Sequence, residues 1–121
     1  MPGVLVFGEL TGDGLNAASL EAMTVGASLS AQLGEPLIGA LVGANARAAV
    51  TAFQRGPGRV LLCEGEGLRQ YEGGYFAACA QRLLAASTAR IVLAAHTVQA
   101  RDWMPRLAAR MDAALVMDCT A

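Results

Sequence analysis

Short apolar runs alternate with stretches of helical periodicity along this whole chain, and glycines punctuate the joins. Val4–Glu9 is a near-continuous apolar run, as a strand buried on both faces requires. Gly12, Asp13 and Gly14 read as a loop. Asn16 can cap a helix, because its side-chain oxygen accepts from backbone N–H groups that the first turn leaves unpaired. Leu20, Met23, Thr24, Ala27 and Ala31 then fall at helical spacing, and Gly34 stops the helix after Leu33. Pro36–Val42 is a second strand, ended by Gly43. Asn45 is placed to cap a helix running to about Gln54, and Gly56-Pro57-Gly58 breaks the chain.

Arg59–Cys63 is a third strand and Glu64–Arg69 a glycine-rich acidic loop. A helix from about Tyr71 to Ala86 carries Tyr75, Phe76, Cys79 and Leu83 on one side. Arg90–Ala95 is a fourth strand, a helix spans about Asp102 to Met111, and Ala114–Met117 is a fifth strand. Five such units with short connections imply an α/β fold, three-layered α/β/α and Rossmann-like. Its sheet is parallel and five-stranded, with helices on both faces and right-handed crossovers. Periodicity alone does not fix the strand order. With 121 residues the chain makes one domain, 1–121.

Composition excludes several functions. The net charge is −1 and no basic cluster stands out, so nucleic acid is not an expected partner. All nine basic residues are Arg, which removes any mechanism that needs a lysine. A Walker loop and a receiver domain both fall on that ground. Only 16% of residues are charged, against roughly 25% in typical globular chains. That fits either a chain that sits against a partner or an alanine-rich domain with a small surface. Cys63, Cys79 and Cys119 are far apart and odd in number, so they read as buried free thiols in a reducing compartment. The start Met1-Pro2-Gly3-Val4 has no basic signal region, and no apolar run nears 18 residues. A cytoplasmic chain without membrane insertion is expected.

Candidate chemistry gathers at the strand ends. Gly12-x-Gly14-x-x-Ala17 matches the dinucleotide fingerprint in form. However, Leu10 and Thr11 separate it from the strand that should lead directly into it. His96 is the only histidine and ends the fourth strand. If that strand lies beside the first, Glu9, Thr11, His96 and Thr97 border a topological switch point, where α/β folds usually bind ligands. A His96–Glu9 acid–base pair is conceivable there. A single histidine with scattered carboxylates makes no metal site. Asp102 can cap the fourth helix, with Pro105 in its first turn, and Arg101 is a candidate anion or partner contact. Tyr75 and Phe76 are expected to pack on the sheet, and Trp103 is an interface candidate.

The run Pro105-Arg106-Leu107-Ala108-Ala109-Arg110-Met111-Asp112, following Ala94-Ala95-His96-Thr97, resembles a segment of electron transfer flavoprotein alpha subunits. There a strand ends, a short loop follows and a helix opens. The first strand, Val4-Leu5-Val6-Phe7-Gly8-Glu9, agrees with it. Two positions depart from the family pattern. Ala100-Arg101 stands where a Gly-Lys or Gly-Arg pair is usual, and Leu15-Asn16-Ala17 where Leu-x-Pro is.

The resemblance covers the amino-terminal domain and implies strand order 3-2-1-4-5. It implies a heterodimer with a beta subunit, and electrons passing from dehydrogenases through FAD. That FAD is held mainly by a carboxy-terminal flavin domain with no counterpart in this chain. This chain would then be scaffold and partner surface, without catalytic residues or a cofactor of its own. An alternative is a stand-alone adenine-nucleotide-binding module of the same fold. Its usual glycine-rich loop would fall at Val98-Gln99-Ala100-Arg101, which has no glycine. A second alternative is a small enzyme using His96.

Overall fold

The computed structural model describes residues 2–11, 14–53 and 58–115. Its centre is β1 (Val4–Gly8), buried at every position and paired in parallel on both sides. One neighbour is β4 (Leu37–Val42) and the other β6 (Ile91–Ala94); β5 (Arg59–Cys63) adds outside β4. In terms of the strands read from the sequence this order is 3-2-1-4. The expected fifth strand, Ala114–Met117, is not observed at Ala114 and Leu115, and its remainder lies outside the described residues.

The period of two along β1 decides which layer each side chain meets. Leu5 and Phe7 join Ile38, Ala40 and Val42 beneath α3 (Gly73–Ser87) and α4 (Val98–Met111). Val4 and Val6 join Leu37, Leu41, Met23 and Phe53 on the other face. That face is covered by α1 (Ala17–Leu33), a 3-10 turn (Ala46–Ala49) and the single-turn α2 (Val50–Phe53). The register pairs Leu5 with Ile38 and Val6 with Gly39, so both strands present matching faces.

Helix α1 begins and ends where the sequence places it. Asn16 accepts from the Ala18 N–H at 2.8 Å, and Gly34 takes the left-handed conformation at φ 66°. Its buried face differs from the expected stripe. Ser19, Met23 and Gly26 face the sheet, while Leu20 is 45% exposed. The cause is close approach: a Cβ on Gly26 would lie 2.5 Å from Val6 Cγ2. Small residues, not the larger apolar ones, set which side of this alanine-rich helix can reach β1.

Other departures have local causes. The presumed loop after β1 contains a small antiparallel pair, β2 (Leu10–Thr11) with β3 (Gly14–Leu15). Asn45 makes no side-chain capping bond. Glu64 Oε2 instead accepts from the Arg47 N–H at 2.9 Å, and only a 3-10 turn and one α-turn form. Helix α4 starts at Val98 because Thr97 caps it, its hydroxyl accepting from the Ala100 N–H at 3.1 Å. Asp102 is therefore not the cap, and Pro105 lies inside the helix rather than in its first turn. Its exposed position lets water serve the carbonyl that its missing N–H leaves unpaired.

Replacing Gly26 by Ala should destabilise the fold. The gain in helix propensity is about 1 kcal/mol, but Val6 is rigid and fully buried, and overpacking costs about 1–3 kcal/mol. Urea unfolding should show a lower midpoint for Gly26→Ala; an unchanged or higher midpoint would refute the close contact.

Candidate functional site

All four strands of the main sheet end at one edge, and the helices that follow turn their N-termini toward it. Such an edge is where an α/β fold places a ligand. Glu9 directly follows β1 and stands between the starts of α1 and α4. Its carboxylate accepts from Asn16 Nδ2 at 3.3 Å and from the Thr97 hydroxyl. Its backbone N–H donates to Ser19 Oγ at 2.8 Å, and its carbonyl accepts from the Asn16 N–H at 2.8 Å. The capping residues of two helices are thus tied to one side chain.

The third long helix is capped in the same style. Glu72 accepts from the Tyr75 N–H at 2.7 Å and the Gly74 N–H at 3.1 Å. Those backbone bonds, the Tyr75 one first, hold its carboxyl below the ordinary Glu value. Beside it the Tyr71 hydroxyl donates to Asp102 Oδ2 at 2.6 Å. Burial and then the Asp102 bond push the Tyr71 phenol upward, and the Tyr71 bond is the main cause of a lowered Asp102 carboxyl. Arg106 adds a 3.3 Å ion pair to Asp102.

Among the described residues, two cavities lie along this edge. The crevice at the switch point, bounded by Phe7, Glu9, Phe76, Ala95, Ala100 and Trp103, measures about 10 Å³. That is room for at most about one water. A larger open cleft of about 710 Å³ lies over the ends of β4 and the small hairpin, walled by Leu10, Thr11, Asn45, Tyr71, Glu72 and Gln99.

The candidates from the sequence part company here. Glu9 and Thr97 meet each other. Thr11 lies on the wall of the larger cleft, its hydroxyl donating to the Gly14 carbonyl at 3.1 Å. His96 is exposed, and the Glu9 carboxylate is bonded to Asn16 and Thr97, so the His96–Glu9 pair does not form. Arg101 is exposed on α4 and takes part in no ion pair among the described residues.

Trp103, expected at an interface, is 3% exposed: it packs with ring centroids 5.0 Å from both Phe7 and Phe76. Phe76 is buried as expected, but Tyr75 is 49% exposed and does not pack on the sheet. The sequence reading missed Ser19, Tyr71 and Glu72. For Glu72 the signal was a carboxylate directly before the Gly73-Gly74 start of a helix.

The geometry does not fit the phosphates of a dinucleotide at the switch point. A phosphate needs donors at a helix N-terminus and glycine for close approach. Here the Glu9 carboxylate stands between both helix starts, and Gly14 is inside a strand pair at φ 118°. Among the described residues no cluster of three or more His, Cys, Asp or Glu could hold a metal ion. No helix among them is long and apolar enough to cross a membrane.

The sequence pattern described as "Electron transfer flavoprotein domain" matches residues 4–121. Protein FixB of Clostridium saccharobutylicum is 29% identical over 119 residues, covering 98% of this chain and 36% of that protein. Electron transfer flavoprotein subunit alpha of Bacillus subtilis (strain 168) is 29% identical over 116 residues, 95% of this chain and 35% of that one. The Clostridium acetobutylicum protein of the same name is 30% identical over 120 residues, with 98% and 36% covered. The chain spans about a third of the length of these relatives.

Three outcomes follow from the site. Thr97→Val removes both the α4 cap and a partner of Glu9, and should cost about 1–2 kcal/mol; Thr97→Ser should restore most of it. His96→Ala should stay within about 0.5 kcal/mol, as for an exposed side chain. Chemical denaturation separates the three, and a large loss in His96→Ala would show a partner for that imidazole. Glu72 has a folded-state value below 4.5, so its contribution is present above the unfolded value and lost as pH falls through the folded one. Glu72→Ala should therefore be less stable than the parent near neutrality, with the gap closing as pH falls below the ordinary Glu value. A gap independent of pH would contradict the capping role.

Proposed function

The chain belongs to the electron transfer flavoprotein domain family, and from that premise we propose that it is the amino-terminal α/β domain of an alpha subunit. In this reading it works as scaffold and partner surface in a complex that carries electrons from dehydrogenases through FAD. Its partner is the beta subunit, its compartment the cytoplasm, and it performs no catalysis itself. The observation that carries the reading is the family match across residues 4–121 together with alpha subunits of similar sequence over nearly the whole chain.

The site chemistry supports the same division of labour. A flavin dinucleotide brings two phosphates, and the crevice at the switch point offers it a carboxylate and about 10 Å³. The FAD of the complex is then held by another domain, and this chain's own residues order the sheet edge without contacting it.

Calorimetric titration of the 121-residue chain with FAD, NAD and AMP tests this. The chain should be colourless as purified. It should show no FAD or NAD binding approaching micromolar affinity, which would need roughly 8 kcal/mol. Joined to a flavin domain and co-expressed with a beta subunit, it should enter a yellow complex. A yellow chain on its own, or micromolar FAD binding, would overturn the assignment of the cofactor to another domain.

A further inference from the structure

We propose that the larger cleft at the sheet edge receives an uncharged loop of the beta subunit, which rests on the reading of this chain as an alpha-subunit domain. The cleft is open and measures about 710 Å³. Its apolar wall is aliphatic, with Leu10, Val42 and Ala48. Its polar wall is mainly carboxamide. Asn45 makes no capping bond to the 3-10 turn that follows it, and Gln70 and Gln99 bring two more such groups. A carboxamide offers donors and an acceptor together, which suits the N–H and C=O groups of a peptide chain.

Charge selects a neutral occupant. Among the described residues two charged side chains line the cleft, and the protein already engages both. Arg69 is held by Glu66 at 2.8 and 3.0 Å, and Glu72 caps α3. An ionic group entering the cleft would lose water without gaining a free counter-charge.

The setting favours a protein segment over a small molecule. Small-molecule sites bury most of their ligand among converging polar groups. Here Asn45, Gln70 and Tyr71 are exposed, and among the described residues no buried side-chain N or O atom lacks a partner. A wet, amide-lined cleft without free charge has the character of an interface centre instead. Its rim continues the same chemistry: Tyr71 is 37% exposed, and Val98, next to Gln99, is 75% exposed. Tyr is a frequent interface anchor. Tyr71 is already fixed, its hydroxyl donating to Asp102 at 2.6 Å, so docking costs it little side-chain freedom.

Titration of the chain, joined to a flavin domain, with the beta subunit tests this. Ala48→Glu places a carboxylate in the cleft from an exposed position of the 3-10 turn. It should weaken binding by at least about tenfold, as an unpaired charge at an interface centre does. Gln70→Glu, which keeps the side-chain shape, should weaken it in the same direction. Thr24→Glu, exposed on α1 and outside the cleft wall, should bind as the parent does. Hydrogen exchange should show residues 42–49 and 66–72 protected on complex formation. Parent-like binding by both cleft variants, or no such protection, would overturn the inference and leave the alpha-subunit assignment standing. Failure of the parent chain to form any complex would remove the assignment and the inference together. The same protection in the chain alone at high concentration would assign the cleft to a second copy. A compound other than FAD, released on denaturing the complex and lost in Ala48→Glu, would assign it to a small molecule. Either result also overturns the proposal.

Discussion

A parallel sheet turns the N-termini of its following helices toward a single edge, and each brings unpaired N–H groups and a partial positive charge. Something must meet them. Nucleotide-binding members of such folds leave the task to a phosphate. Here the chain supplies its own oxygen atoms: Asn16 at α1, Thr97 at α4, and Glu72 at α3. Glu9 joins the first and second of these groups. Its position is not adjustable, because β1 is buried along its length and paired on both sides. The first residue past that strand must therefore find its partners where the two helices begin.

The aromatic side chains complete the closure. Phe7, Trp103 and Phe76 touch in sequence at 5.0 Å centroid spacings, and Tyr71 continues the row 5.6 Å from Phe76. The row runs from the central strand through α4 to α3 and out to the loop before it. Tyr71 ends it with a polar handle on Asp102, the usual arrangement for an aromatic ring half in water. The volume that a ligand would need between β1 and β6 is taken by Trp103 and Phe76, leaving the small crevice described above.

Where local chemistry sets an element, the sequence sufficed. Asn16 and Gly34 bound α1 because a side-chain oxygen and a left-handed glycine act within their own turn. The four observed strands agree with the apolar runs, and their order, 3-2-1-4, with the first four places of the order that the family resemblance implies. Where two local signals competed, the sequence misled. Thr97 and Asp102 are both capping types, and Pro105 suits a first turn, so the later start looked better. Only the contact with Glu9, 88 residues away, favours Thr97. Trp103 moved from interface to core with that shift, since starting the helix at Val98 turns position 103 inward with Ala100 and Leu107. For α1 the buried face follows from how near Gly26 comes to Val6, a tertiary fact that residue polarity does not encode.

The same edge sets what a phosphate at the switch point would have to displace. To seat a phosphate there, the chain would have to free Glu9 from Asn16 and Thr97 and then tolerate its carboxylate beside the ligand. Two like charges about 4 Å apart repel by roughly 1 kcal/mol in water and about 4 kcal/mol near a protein surface. The helix dipoles cannot offset that, because the anion they stabilise is already in place. Adding glycines to the loop before α4 would ease the approach of a ligand without changing this balance. The determinant is the identity of the residue after β1, whose charge both orders the scaffold and occupies the position a bound anion would take.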